Sequence, residues 1–200
     1  MSQSDLFRDI AFFTSAADEG GLPASSIEVA IVGRSNAGKS SAINTLAQRH
    51  RLAFVSKTPG RTQQINFFSM GSGRFLVDLP GYGYAKVPRD LQREWERLIS
   101  GYLQLRPQLR GLVVVMDIRH PMKDLDAQLL AWFATTGKPA HVLLTKSDKL
   151  GKQAATTQLR NTAEILKRDF AGVTVQLFSA SARVGVVEAE AVLRRWYEAT

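Results

Sequence analysis

The stretch that decides the fold is residues 27–40, IEVAIVGRSNAGKS, in which a run of β-branched residues leads into a glycine-rich loop. Residues 33–40 match the pattern GxxxxGK(S/T), and the helical segment SAINTLAQR follows at once. A strand, this loop and a helix in that order form a phosphate-binding loop, whose backbone N–H groups and helix N-terminus attract an anion. The order therefore predicts a nucleotide-binding α/β protein.

Each residue type in this loop suits one part of a nucleoside triphosphate. Gly33 and Gly38 allow a tight turn, Lys39 would neutralise β- and γ-phosphate oxygens, and the Ser40 hydroxyl would bind a magnesium ion. A glycine-rich turn that binds nothing is the alternative, and the flanking strand and helix disfavour it. We assign nucleotide contacts to the whole loop, that is to Gly33, Arg34, Ser35, Asn36, Ala37, Gly38, Lys39, Ser40 and Ser41.

A second motif, DLPGYGYAKVP at residues 78–88, has the form Asp-x-x-Gly. Asp78 ends a strand and can hold a magnesium-bound water, and Gly81 begins a loop that can sense a γ-phosphate. Alone, the pattern is also a common turn. Tyr82 follows, where signalling GTPases carry a Gln that orients the attacking water. We therefore expect slow intrinsic hydrolysis, with the water organised by another group.

A third motif, LLTKSDKL at residues 143–150, ends the strand AHVLLT and indicates which base is read. Asp148 can accept hydrogen bonds from the N1–H and 2-amino groups of guanine, which adenine lacks, and the stem of Lys146 can lie across the base. In FSAS, which ends the next strand, the Ala180 N–H can donate to guanine O6. A helix N-cap at Ser147 and Asp148 is the alternative. We assign the base contacts to Thr145, Lys146, Asp148, Ser179 and Ala180.

Six β-rich runs alternate with longer stretches of helical period. They are IEVAIVG, INFFSM, FLVDL, GLVVVMD, AHVLLT and VTVQLFS. Crossover helices imply parallel strands, and the short GSG loop after INFFSM predicts an antiparallel hairpin at a sheet edge. Roughly the first 20 residues resemble a short helix, followed by a turn-rich connection. We predict one α/β domain at 25–200, with a mostly parallel six-stranded sheet, one antiparallel edge hairpin and helices on both faces, preceded by a helical extension at 1–24.

The composition limits the classes of partner. The chain has 200 residues, no cysteine and a net charge of +8, which disfavours disulfide and Cys-based metal chemistry and favours a polyanionic partner over mere solubility. The run GLVVVM is too short to cross a bilayer, and the acidic N-terminus does not resemble a secretion signal. We expect a cytoplasmic protein that does not bind membranes.

Five stretches in order resemble the motifs of the EngB (YihA/YsxC) family of ribosome-biogenesis GTPases. They are GRSNAGKSS, TPGRTQQINFF, DLPGYGYAKVP, MDIRHPMKDLD and LLTKSDKL, and the resemblance covers nearly the whole chain. It implies a single Ras-like GTPase domain that hydrolyses GTP to GDP and phosphate. It also implies a monomeric switch in assembly of the large ribosomal subunit, with guanine nucleotide and the precursor of that subunit, rRNA and proteins, as partners.

The resemblance also places the metal and catalytic residues. It puts the switch I threonine at Thr62, with Thr58 as the rival, so that Ser40, Thr62 and Asp78 would hold magnesium. Asn36 matches a loop Asn that binds potassium in related GTPases without the Gln, although it can also simply stabilise the loop. We therefore predict catalytic roles for Lys39, Thr62 and Asn36.

Several residues keep two interpretations. Tyr82 and Tyr84 either pack the second switch or form a contact surface for the ribosome, and His120 is expected to pack within its loop. Thr145 stands where most GTPases have Asn, and its shorter side chain is expected to brace the phosphate loop. The basic residues near switch I and the C-terminus are candidates for rRNA contacts: Arg49, Arg51, Lys57, Arg61, Arg194 and Arg195. The rival functions are an RNA-binding module that holds nucleotide without significant catalysis and a small-molecule P-loop kinase.

Overall fold

The computed structural model describes residues 6–53, 64–83 and 89–199, with side chains in the last range from residue 97 onward. In this part of the chain seven strands form one sheet: β1 (Ala11–Ala16), β2 (Ile27–Gly33), β3 (Ile65–Ser69), β4 (Arg74–Asp78), β5 (Leu109–Asp117), β6 (Ala140–Thr145) and β7 (Val173–Leu177). The α-helices of the same residues are α1 (Lys39–Leu46), α2 (Arg89–Leu105), α3 (Asp124–Ala134), α4 (Lys152–Asp169) and α5 (Val186–Glu198). None of these helices combines the length and apolar character that a bilayer crossing requires.

The order of strands across the sheet is β1-β3-β4-β2-β5-β6-β7. Strands β4, β2, β5, β6 and β7 are parallel neighbours, and β3 runs antiparallel to both β4 and β1. All six predicted strands are present, and the β3–β4 hairpin turns at Gly71 and Gly73, which both have positive φ. The mostly parallel architecture is therefore confirmed.

The prediction for the N-terminal residues was wrong, because residues 11–16 form a strand instead of a helix. Strand β1 pairs with β3 from Ala11↔Ser69 to Ala16↔Ile65, so that the sheet has seven strands and β1 takes the edge place expected for the hairpin. A turn at residues 6–9 precedes the strand, and Phe7 and Ile10 are both buried there. Pairing with β3, a contact far along the chain, decides the conformation of AFFTSA.

Helices cover both faces of the sheet, as predicted. Alternate residues of β2 point to opposite sides: Ala30 and Val32 face one core and Val29 and Ile31 the other. Buried residues of α2, α3 and α4 complete the first core, and those of α1 and α5 complete the second together with the N-terminal turn. Both faces of the central strands are therefore buried from solvent, which explains their continuous apolar sequence.

Helix α2 is anchored at its C-terminal end to the start of β2. Glu28 is fully buried and accepts hydrogen bonds from the Tyr102 hydroxyl at 2.7 Å and from Arg106 Nε at 3.0 Å. In the sequence of α2, Trp95, Tyr102 and Leu105 recur at helical spacing, which predicts that Trp95 and Tyr102 lie in the core. Tyr102 is a core residue, whereas Leu105 is 71% exposed. The prediction that Trp95 lies in the core falls on a side chain outside the described set.

Candidate nucleotide-binding site

The three sequence motifs meet at one edge of the sheet, where the parallel strands have their carboxyl ends. Each motif begins at the last residue of a strand: the loop 33–40 at the end of β2, the segment 78–81 at the end of β4, and the segment 145–148 at the end of β6. Because β4, β2, β5 and β6 lie side by side, residues distant in sequence become neighbours at this edge. Ligands of open α/β sheets bind at such an edge.

Two glycines allow the phosphate loop to take its path. A Cβ at Gly33 would lie 2.6 Å from the Val115 carbonyl oxygen, so that only glycine permits this approach of β2 to β5. Gly38 has φ +96° and precedes the first residue of α1. Asn36 between them also has a positive φ, of 62°, which Asn tolerates better than most residues. The loop therefore turns back sharply onto the N-terminus of α1.

Not every N–H group of this loop is directed at a phosphate. Ser35 N–H donates to the Tyr82 carbonyl at 2.9 Å, and Ala37 N–H donates to the Arg34 carbonyl at 3.0 Å. These two amides are engaged within the protein. The anion-attracting end of the loop is thus the first turn of α1, which contains Lys39, Ser40 and Ser41.

Asp78 lies directly against this turn. Its carboxylate forms an ion pair with Lys39 Nζ, and Asp78 is 6% exposed. Ser40 is the next residue along the helix, so that a hydroxyl-bearing residue lies in the same turn as the lysine. Carboxylate and hydroxyl oxygens are the hard donors that Mg²⁺ uses beside phosphates and water. The residues present therefore fit a magnesium nucleotide.

The Thr145 hydroxyl braces the phosphate loop. It is buried and lies within hydrogen-bond distance of the Ala37 carbonyl oxygen and, at 3.0 Å, of the Met116 carbonyl oxygen. The expectation that threonine at this position still supports the loop is confirmed. Through this hydroxyl the C-terminal ends of β5 and β6 are connected to the phosphate loop.

Lys146 connects the base-reading segment with the phosphate loop. Its Nζ lies 2.7 Å from the Asn36 carbonyl oxygen, and its Cε passes 3.9 Å from the place of a Cβ at Gly38. The aliphatic stem therefore lies along the loop, as a base-stacking lysine requires. Lys146 itself has φ 58°, in the left-handed region that few non-glycine residues adopt.

Sequence reasoning missed the role of Asp117, which orients Lys146. One carboxylate oxygen lies 2.9 Å from Lys146 Nζ, and Arg119 makes a two-pronged contact to the same carboxylate at 2.9 and 2.6 Å. Hydrogen bonds from Arg119, followed by those from Lys146, hold the pKa of Asp117 well below its usual range. A signal for this role was present in the sequence, because Asp117 and Thr145 each end a strand that was predicted to be parallel. In the structure these two strands are neighbours, which brings Asp117 next to Lys146.

Asp148 is oriented by a residue from the next strand end. The Ser179 hydroxyl donates to its carboxylate at 2.6 Å, and this hydrogen bond lowers the pKa of Asp148. Ser179 is fully buried, whereas Asp148 is exposed, so the acceptor is fixed in direction and open to a ligand. Ser147 and Asp148 lie in a short 3₁₀ turn, and α4 begins later, after Gly151, which argues against the N-cap alternative. Ala180 follows Ser179 and is half-buried beside it.

Some predicted residues lie elsewhere or outside the described residues. Thr62 and its rival Thr58 are outside them, as are Lys57, Arg61 and Tyr84, so their roles stay predictions. His120 does not pack in its loop, because it is exposed; its carbonyl oxygen accepts from Arg34 Nη2 at 2.8 Å. Tyr82 is 5% exposed, which confirms the packing interpretation for this residue.

Comparisons with known proteins agree with this geometry. Residues 28–146 match the family model described as 50S ribosome-binding GTPase. The chain is 55% identical over 192 residues to a probable GTP-binding protein EngB of Methylobacillus flagellatus, covering 96% of this chain and 93% of the relative. It is 51% identical over 197 residues to the protein of that name in Neisseria meningitidis serogroup C, covering 98% of this chain and 94% of the relative. The chain belongs to the EngB family of GTP-binding proteins. It is therefore a GTPase.

Solved structures of EngB and of other GTPases share the fold. The crystal structure of a probable GTP-binding protein EngB gives a TM-score of 0.68 at 18% identity and covers 84% of this chain and 97% of that one. Era in complex with MgGDPNP and a segment of 16S ribosomal RNA gives 0.63 at 20% identity, covering 86% of this chain and 57% of that one. At such identities the likeness concerns the fold alone, and it confirms the Ras-like GTPase architecture.

Proposed function

We propose that this GTPase acts as a nucleotide-dependent switch in the assembly of the large ribosomal subunit. The observation that carries the proposal is the joining of base-reading and phosphate-binding residues at one sheet edge, with Lys146 Nζ 2.7 Å from the Asn36 carbonyl and Asp148 held by Ser179. The matched family is described as 50S ribosome-binding, and the net charge of +8 suits a partner rich in RNA phosphate. We place this activity in the cytoplasm and assign it to a monomer.

The metal sites belong to the same proposal. Ser40, Asp78 and Thr62 would hold Mg²⁺, which supplies charge neutralisation at the β- and γ-phosphates. Lys39, in contact with Asp78, would move onto the phosphates when nucleotide binds, since both groups compete for its charge. Asp148 and Lys146 fix the base, and the first turn of α1 fixes the phosphates, so the bond to be cleaved is held in one position.

Potassium held at Asn36 is the proposed source of positive charge beside the phosphates in this GTPase, which lacks the water-orienting Gln. Asn36 is exposed at the bend of the loop, and its side-chain amide oxygen is a neutral oxygen ligand of the kind that binds K⁺. Turnover in KCl and in NaCl at equal ionic strength should differ severalfold. Equal rates in the two salts would leave Asn36 with a role in stabilising the loop.

The ribosomal role is tested by sedimentation of the full chain with large-subunit precursor particles. We expect co-sedimentation with a non-hydrolysable GTP analogue and weaker retention with GDP. Binding that does not depend on the nucleotide would support the rival RNA-binding module, whose second mark is the absence of turnover even with particles present. Phosphate transfer from ATP to a small acceptor would support the kinase, against which the Ser179-oriented Asp148 argues.

A further inference from the structure

The side chains of Arg34, in the phosphate loop, and of Tyr82 and Asp126 form a buried polar cluster. Asp126 is fully buried in the first turn of α3. Its Oδ1 accepts a hydrogen bond from the Tyr82 hydroxyl at 2.7 Å and lies 3.3 Å from Arg34 Nε, and its Oδ2 accepts from the Lys123 N–H at 3.0 Å. A buried carboxylate is costly unless such partners compensate it, so the three side chains form one unit.

The main chain joins the same two segments. Arg34 and Tyr82 form an isolated parallel β-bridge, in which Ser35 N–H donates to the Tyr82 carbonyl at 2.9 Å and Tyr82 N–H donates to the Gly33 carbonyl at 3.3 Å. Tyr82 is therefore held through its backbone by the phosphate loop and through its hydroxyl by α3. Two independent attachments at one residue restrict both its position and its orientation.

Arg34 closes the cluster on the other side. Its Nη2 donates to the His120 carbonyl at 2.8 Å, so that the guanidinium spans from Asp126 to the loop before α3. Gly83 packs against the stem of Arg34, since a Cβ there would lie 3.7 Å from Arg34 Cγ, and its φ of +75° suits glycine. Tyr82 and Gly83 are therefore both held against Arg34.

The consequence concerns Gly81, which immediately precedes Tyr82. Gly81 and Asp78 are the residues of this segment that are predicted to sense the γ-phosphate and the metal. Because a peptide unit is rigid, holding Tyr82 N–H on the Gly33 carbonyl limits the places available to the Gly81 backbone. Burial is the main cause that raises the pKa of both Tyr82 and Asp126, and the tyrosine stays a neutral donor at physiological pH.

We propose that Asp126 is a positioning residue for GTP hydrolysis, which acts through Tyr82 and Arg34 to keep Gly81 at a fixed distance from the phosphate loop. The role is selective for the γ-phosphate, because Lys146, Asp148 and the first turn of α1 bind the rest of the nucleotide without the cluster. Tyr82 thus serves hydrolysis from the position of the missing Gln by fixing the backbone instead of orienting water. The proposal uses the GTPase activity alone and does not depend on the ribosomal role.

The chain offers a matched control for the test. Tyr102 is also buried and also donates at 2.7 Å to a fully buried carboxylate, Glu28, which likewise pairs with an arginine, Arg106. That cluster lies at the amino-terminal start of β2, the opposite end of the strand from the phosphate loop. Tyr82→Phe and Tyr102→Phe therefore each delete one hydrogen bond from a buried tyrosine to a buried carboxylate, near opposite ends of β2.

Single-turnover hydrolysis and affinities for GDP and a non-hydrolysable GTP analogue are measured for the purified proteins without ribosomes. We expect Tyr82→Phe to lower the rate and the analogue affinity about fivefold and to leave GDP affinity within about twofold. Asp126→Asn retains an acceptor but removes the charge facing Arg34. It should also lower the ratio of analogue affinity to GDP affinity, called here the analogue-to-GDP ratio. Tyr102→Phe should lower the unfolding midpoint and leave this ratio unchanged.

Three outcomes would overturn the proposal. Equal analogue-to-GDP ratios in Tyr82→Phe and Tyr102→Phe would make the cluster a packing feature. An equal loss of GDP and analogue affinity in Tyr82→Phe would indicate a general collapse of the phosphate loop. A changed ratio in Tyr82→Phe together with an unchanged ratio in Asp126→Asn would assign the effect to the tyrosine without Asp126.

Discussion

At the scale of single residues, we propose that the choice of base depends on the carboxylate of Asp148. Guanine presents two donors to this acceptor, whereas xanthine presents an acceptor at C2, which an amide NH₂ can match. We therefore predict that Asp148→Asn weakens GTP binding by about tenfold or more and improves XTP binding. Competition binding with GTP and XTP measures both changes.

The control for this substitution is Asp169→Asn at the end of α4, where the carboxylate pairs with the exposed Arg168. It makes the same chemical change away from the site and should leave both affinities unchanged. An unchanged GTP affinity in Asp148→Asn would contradict the assignment of base reading to this residue.

A second residue-scale prediction concerns the brace at Thr145. Thr145→Val keeps the shape but removes the hydroxyl, which leaves the buried Ala37 and Met116 carbonyls without this donor. We expect a loss of about 1–3 kcal/mol in the free energy of unfolding, together with weaker GDP binding. Chemical denaturation and nucleotide titration measure the two effects.

Thr162→Val is the matched control, since Thr162 is also buried and its hydroxyl donates to the Gln158 carbonyl within α4. It should leave GDP affinity unchanged. Thr145→Ser, which keeps the donor, should restore most of the affinity; failure to do so would show that the methyl group, and not the hydroxyl, supports the loop.

At the scale of elements, helix α2 is attached to β2 by charge as well as by apolar packing. Glu28 is fully buried, and among the residues that the structure describes Arg106 is the one cation within ion-pair distance of it. Arg106→Met would leave this carboxylate buried with neutral donors alone. We predict a destabilisation of about 3 kcal/mol, measured by urea denaturation.

Arg160→Met in α4 provides the comparison, because the pair of Arg160 and Glu164 is exposed and its atoms lie 4.0 Å apart. A surface pair of this kind contributes about 0.5 kcal/mol or less. Similar losses in the two variants would mean that water still solvates Glu28.

The N-terminal residues form part of the domain at this same scale. Phe7 is fully buried in the core beside α1 and α5, and β1 extends the sheet. Phe7→Ala should therefore cost about 3–5 kcal/mol in the free energy of unfolding, as for a central core residue. Phe12→Ala, at a side chain that is 56% exposed on β1, should cost about 1 kcal/mol or less. A small effect of Phe7→Ala would favour a separable N-terminal extension.

At the scale of the whole molecule, nucleotide binding links distant strand ends and should stabilise the fold as a unit. A ligand that binds the folded state alone adds about 2.7 kcal/mol at a concentration of 100 times its Kd. We predict that GDP raises the Tm of the protein and that ATP at the same concentration does not. Asp148→Asn should lose about half or more of this GDP-induced stabilisation, as expected for affinity weakened about tenfold or more. It should keep its Tm without nucleotide, because Asp148 is exposed. A shift with ATP equal to that with GDP would contradict the guanine assignment.

Much of the fold was predictable because its signals are local. The central strands are buried on both faces and therefore read as continuous apolar runs, and the phosphate loop has a spacing that few other structures share. Strand β1 was not predictable in this way. Its sequence AFFTSA shows no regular alternation of apolar and polar residues. Its conformation depends on pairing with β3, in which Ser15 lies opposite Asn66, a residue 51 positions further along the chain.

The sequence by itself determined the type of chemistry: a phosphate loop, an acid at the end of β4 and a segment at the end of β6 that is predicted to read guanine are each defined by a few adjacent residues. Tertiary structure alone decided how these parts are held. Asp117 orients Lys146, Ser179 orients Asp148, and Asp126 ties Tyr82 to Arg34, and in each case the partners come from separate strands, helices or loops. The physical reason is that hydrogen bonds between side chains act over about 3 Å in space whatever the distance along the chain. Only the folded sheet brings those atoms within that range.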